Sequence, residues 1–168
     1  AGVKSIEALN KYKNKNYVSL MPTNLYGQND NYDLNNSHVL PALIRKFHEA
    51  KINNHSEVVL WGSGEPLREF LYVDDLAEAI LFSLVNDLDS DLFNVGSGHE
   101  ISIKELAMTI QQIIGHKGEI IWDKNKPDGT PRKFLDSSKL NLLSWNAKIE
   151  LQKGISLTYK SFLSENKY

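Results

Sequence analysis

His38 follows the polar stretch Asn35-Asn36-Ser37 and precedes an apolar, helically spaced run. An imidazole at such a junction can take or give a proton near neutral pH, although a lone histidine is more often structural. Arg68 is one of three arginines in a lysine-rich chain and follows the turn Gly62-Ser63-Gly64. Its planar guanidinium can grip a phosphate or diphosphate through two parallel hydrogen bonds, which a lysine cannot do. Arg132 and Lys133 end the loop Lys126-Pro127-Asp128-Gly129-Thr130-Pro131-Arg132-Lys133 and add charge of the same sign. Two solvated loops are the plain alternative for this cationic set. Trp61, beside Gly62, either fills a core or stacks a base or sugar ring.

Other chemistries find little support. Gly62-Ser63-Gly64 and Gly96-Ser97-Gly98 each follow a predicted strand, but neither has dinucleotide-fingerprint or P-loop spacing, so plain turns are expected. His38, His48, His55, His99 and His116 lack metal-ligand spacing, so no metal is expected. Asp74 and Asp75 are expected as helix caps, since adjacent residues at a helix start do not face each other.

These residues must be held by alternating helices and strands. Helical spacing of Val3, Ile6 and Leu9 predicts a helix over 1–13, broken by Lys13-Asn14-Lys15-Asn16. A short buried strand is predicted over 17–21 and a long loop over 23–36. Ser37 is expected to cap a helix running to about Lys51, with Pro41 in its first turn. Strands are predicted over 57–61, 68–73, 93–95 and 119–122, and a helix follows Asp75. Ser102 and Glu105 predict a capping box, and Gly115 ends that helix. Loop 123–133, a short helix capped by Asp136 and a C-terminal helix carrying Leu151, Ile155, Tyr159 and Phe162 complete an α/β order.

At 168 residues, with 41% hydrophobic and 24% charged residues, the composition is that of a globular chain with a real core. Lys+Arg of 19 against Asp+Glu of 21 gives no basic field for nucleic acid. Absence of cysteine excludes disulfides and thiolate chemistry and suits a reducing cytosol. No apolar run is long enough for a membrane span. The chain opens Ala1-Gly2-Val3, without Met, and its first helix has no N-cap, as expected of a truncated piece.

Met21-Pro22-Thr23-Asn24-Leu25-Tyr26-Gly27 resembles the segment after the catalytic Tyr-x-x-x-Lys helix in extended short-chain dehydrogenases acting on nucleotide sugars. Asn36-Ser37-His38-Val39-Leu40-Pro41-Ala42-Leu43, Trp61-Gly62-Ser63-Gly64, Arg68-Glu69-Phe70-Leu71-Tyr72-Val73-Asp74-Asp75, Asn94-Val95-Gly96-Ser97-Gly98 and Lys126 to Lys133 narrow the likeness. It is to the NADP-dependent 3,5-epimerase/4-reductases of GDP-4-keto-6-deoxymannose, from residue 1 to nearly residue 165. The Arg-Glu-Phe and Asn-Val-Gly pieces are generic to extended short-chain dehydrogenases. The Asn-Ser-His-Val piece and the loop from Lys126 are more specific.

The resemblance implies a C-terminal half. Residues 1–35 would be the remnant of an NADP-binding Rossmann domain. Residues 36–168 would bind the GDP-sugar, with some elements returning to the Rossmann domain. The family's Gly-rich loop, catalytic Tyr and Lys, and epimerisation Cys are not in this chain. Pro22, Thr23, Asn24 and Leu25 would line the nicotinamide end of the cofactor site. His38 would be an acid/base in epimerisation and lie near the nicotinamide. Lys46, where the family often has Arg, would meet the substrate diphosphate. Trp61, Arg68, Asp128 and Lys133 would contact the GDP-sugar. NADPH would serve the intact enzyme, a cytoplasmic homodimer, and bind this half only weakly. Rival expectations are another nucleotide-sugar epimerase or dehydratase, and a non-catalytic nucleotide-sugar-binding module.

Overall fold

Strand β4 (Leu67–Tyr72) is the hinge of the architecture because it pairs along both halves of its length. Its first residues pair antiparallel with β6 (Glu100–Ser102) and parallel with β8 (Arg132–Lys133). Its last three pair parallel with β2 (Asn24–Tyr26). Two further parallel pairs flank it: β1 (Ser19–Pro22) with β5 (Leu92–Val95), and β3 (Glu57–Trp61) with β7 (Glu119–Asp123). The helices are α1 (Gly2–Lys13), α2 (Val39–Ile52), α3 (Val73–Val85), α4 (Ile103–Ile114), α5 (Ser138–Leu142) and α6 (Leu151–Ser164). This mixed α/β arrangement comes from a computed structural model that describes residues 1–164. The last residues of the expected substrate region, 165–168, lie outside the described residues.

Two cores result. Tyr26, Phe70 and Tyr72 join Leu40, Ile44 and Phe47 of α2, Leu106 and Ile110 of α4, and Ile155 and Phe162 of α6. Leu71 points the other way, into a smaller cluster with Ala79, Phe93, Val95, Leu140 and Trp145. Alternation along β4 thus feeds opposite faces of the same strand. Helix α4 shows why a local pattern suffices in places. Leu106, Ile110 and Ile114 recur every four residues and are buried, and the Ser102/Glu105 capping box is formed. Gly115 closes the helix in the left-handed conformation.

Several expectations are corrected. Loop 23–36 contains β2, and its Tyr32 is fully buried. Strand β1 is half-buried to exposed rather than buried, because only β5 pairs with it. The residue capping α2 is His38, not Ser37, and its side chain makes no cap bond. Asp75 does not cap α3, which follows Tyr72. Its buried carboxylate instead accepts the backbone N–H groups of Lys148 and Ile149 at 3.1 and 3.0 Å, fixing the approach to α6. Helix α5 follows Ser137, while Asp136 accepts the N–H of Ser138 at 3.0 Å.

Candidate functional site

Trp61 ends β3, where Val58 and Leu60 face the core and the alternate positions face out. The indole is therefore 67% exposed, which removes the core reading. The lysine ammonium groups of Lys46 and Lys126 lie 5.9 and 5.2 Å from its ring centre. Burial lowers the Lys46 amine below its usual range, and its hydrogen-bond contact to the Val59 carbonyl is 3.5 Å long.

The turn after Trp61 is built for its neighbour. Ser63 donates its N–H and hydroxyl to the two oxygens of Asp128 at 2.8 and 2.7 Å. These bonds hold the Asp128 carboxyl below its ordinary range. Position 62 has φ +82, and a side chain there would run into the Asp128 carboxylate, so only glycine fits. Arg68 donates from Nη1 to the Leu67 carbonyl at 2.7 Å and reaches toward Gly129. Trp61, Arg68 and Asp128 share one cleft of about 210 Å³ with Val39, Pro66 and Ile103.

A second cleft, about 420 Å³, is lined by Pro22, Thr23, Asn24, Lys133 and Phe134, among others. It lies at the carboxyl ends of parallel strands β1 and β5, the edge at which α/β sheets take ligands. Strand pairing of Arg68 with Lys133 joins the two clefts. Arg132, in contrast, is spent on Glu100, with two bonds of 2.7 and 2.6 Å.

The remaining candidates divide. Asn24 and Thr23 donate their side chains inward to the Glu69 carbonyl at 2.7 and 3.2 Å, so they wall the second cleft with their donors occupied. Leu25 packs in the smaller core, opposite its neighbours on β2, and not in the cleft. His38 is exposed at the start of α2, next to Val39 of the first cleft. Sequence reasoning missed Ser63, Lys126 and Glu69. Only the Arg-Glu-Phe triplet carried a signal for the last. Among the described residues no group of three His, Asp or Glu could hold a metal, and no helix is long and apolar enough to cross a membrane.

Such clefts, one at the carboxyl ends of parallel strands and a cationic aromatic one beside it, are those of a ligand-binding α/β protein. The model of the NAD dependent epimerase/dehydratase family matches residues 1–96, and the chain belongs to that family. A putative GDP-L-fucose synthase 2 of Arabidopsis thaliana is 56% identical over 163 residues, 97% of this chain and 50% of its own length. The chain thus spans about half the length of the curated relatives it matches. A solved GDP-L-fucose synthetase from Naegleria fowleri bound to NADP superposes with TM-score 0.84 at 31% identity, over 96% of this chain and 51% of that one. A GDP-6-OMe-4-keto-L-xylo-heptose reductase from C. jejuni gives TM-score 0.87 at 32% identity, over 98% and 59%.

Proposed function

We propose that this chain is the sugar-nucleotide half of an NADPH-dependent 3,5-epimerase/4-reductase that converts GDP-4-dehydro-6-deoxy-D-mannose to GDP-L-fucose. The observation that carries this reading is the charge of the Trp61 cleft. Lys46 and Lys126 stand near the indole and Arg68 lines the cleft it shares, and none takes part in an ion pair among the described residues. Against the one carboxylate of Asp128, these three cations leave an excess of positive charge about Trp61, the complement of a bridging diphosphate. Arg68 grips the diphosphate, and Trp61 stacks on the base or sugar.

The C4 ketone acidifies the sugar protons at C3 and C5. His38, free of a cap bond, moves a proton at these carbons. Remote binding of the diphosphate holds the ring while it reacts. When bound, NADPH supplies the hydride that reduces C4. Pro22, Thr23 and Asn24 suit one end of that cofactor, since their cleft opens at strand carboxyl ends. The family's N-terminal half carries the Gly-rich loop, the Tyr/Lys pair and the epimerisation Cys, so this half by itself is inactive and binds NADPH weakly. The intact enzyme is a cytoplasmic homodimer. Residues 1–35 belong to its nucleotide-binding domain and 36–168 mainly to its substrate domain.

Calorimetric titration of the full-length protein with GDP, UDP and dTDP tests this. GDP binds at least tenfold tighter than the others; tighter UDP or dTDP binding overturns the reading, as does turnover by the pure isolated chain. A second reading, a C4 reductase of another GDP-sugar without epimerisation, is favoured by the fold likeness to the heptose reductase. Solvent deuterium entering C3 and C5 of the product decides against it.

A further inference from the structure

We propose that Glu69 is a positioning residue that holds both lips of the cofactor-side cleft in register. The inference rests on the functional reading above. Glu69 is fully buried in β4, where its neighbours Arg68 and Phe70 belong to the sugar cleft and the larger core. A carboxylate removed from water is costly unless hydrogen bonds replace its hydration. Here Oε1 accepts the N–H of Gly98 at 2.8 Å and Oε2 that of Leu135 at 3.2 Å. The carbonyl of the same residue accepts Asn24 Nδ2–H and Thr23 Oγ–H.

These contacts are not scattered through a core. Thr23 and Asn24 form one lip of the 420 Å³ cleft, and Leu135, two residues beyond Lys133, belongs to the other. Strand β8 is only two residues long and exposed, so its ladder with β4 is short, and the Leu135 bond lies just past it. Gly98 belongs to the turn that leaves β5. That turn closes on the carboxylate because position 96 is glycine: a Cβ there would collide with Glu69. An apolar side chain could fill the same space without a desolvation cost. What it could not do is fix the N–H groups of two loops at once.

The test is Glu69→Gln in the full-length protein, read by equilibrium binding of NADP+ and, separately, of GDP. The amide puts a donor against one of two N–H groups: set against Leu135 it releases that lip, set against Gly98 it loosens the turn that leaves β5, while the backbone carbonyl keeps its bonds to Thr23 and Asn24. NADP+ dissociation should rise about tenfold or more, while GDP affinity in the Trp61 cleft changes less than threefold. Glu69→Asp keeps the charge but is one methylene short, so it should fall between, and it decides the matter by the same two titrations if the glutamine variant does not fold. Unchanged NADP+ binding overturns the proposal. So does parallel loss of both ligands with a lower Tm, which marks a purely structural hub. If the wild-type protein binds NADP+ but not GDP, the sugar-nucleotide reading fails while the NADP+ arm still decides Glu69.

Discussion

The two cores of this molecule are built to different standards. The larger encloses aromatic and aliphatic side chains from α2, α4, α6 and three strands, with Ile44, Phe47, Leu106, Ile110 and Ile155 at zero exposure. The smaller is closed around Phe93 and Val95 but ragged at its margin. Helix α1 has no buried residue, Met21 of β1 is 46% exposed, and Leu81, Leu84 and Val85 of α3 are more exposed still. The difference teaches where the fold is self-sufficient. The Trp61 cleft stands on the closed core, while the cleft at Thr23 and Asn24 stands at the junction with the more open one.

Amide exchange in the isolated chain would sharpen this contrast most. Opening of a helix with no buried face costs close to nothing, whereas core amides exchange only through openings approaching global unfolding. With global stability on the order of 5–15 kcal/mol, the amides of α1 should exchange about 10³-fold or more faster than those around Ile110. Comparable protection at low concentration would erase the distinction between the cores. Protection of α1 that grows with concentration would instead show a second copy covering Leu9 and Tyr12, which are 40% and 73% exposed.

The next effect separates binding from chemistry. His38 is exposed, holds no cap bond and fills no core, so His38→Gln should leave the Tm within about 2 °C, as for surface changes generally. Loss of a positioned acid/base should slow deuterium uptake at sugar C3 or C5 about 10²–10⁴-fold in the full-length enzyme. Retained exchange, or an unfolded variant, would return His38 to a structural role.

Legibility in the sequence followed the range of the interactions. Strand β3, helix α4 and its capping box were readable because periodicity and caps act within a few residues. Strands β2, β6 and β8 have three residues or fewer, and their pairing partners lie 30 or more residues away, so no local pattern announces them. Asp75 and Glu69 were misread or missed for one reason: residue type points to the surface, while their partners are backbone N–H groups far along the chain. Arg68 and Trp61 were found through composition and turns, but their convergence with Lys126 depends on β3, β4 and loop 124–129 meeting in space.

Around Trp61, Arg68 should outweigh Lys46 for the proposed diphosphate. Arg68 offers a planar fork, and hydrogen bonds to charged groups contribute about 1.5–3 kcal/mol each. Arg68→Ala should therefore raise the GDP dissociation constant at least tenfold, with a smaller loss for Lys46→Ala. Calorimetry giving the reverse order would shift the diphosphate toward α2 and away from β4.

The smallest expected effect is a fraction of a proton. Burial disfavours the Lys46 ammonium and lowers its pKa. For an amine lowered by folding, the cost to stability is full at pH below the folded value and fades as pH rises through it. A bound diphosphate reverses the preference, because an anion beside the amine favours the charged form and raises its pKa. Between the lowered free value and the raised bound value, GDP binding must then be accompanied by proton uptake at Lys46. Outside that window the amine takes up nothing. Titrations over a pH series, each in two buffers of different ionisation enthalpy, measure this uptake directly, and Lys46→Met should abolish it. Equal uptake in that variant would place the diphosphate against another titrating group and leave Lys46 as a cation held over Trp61 alone.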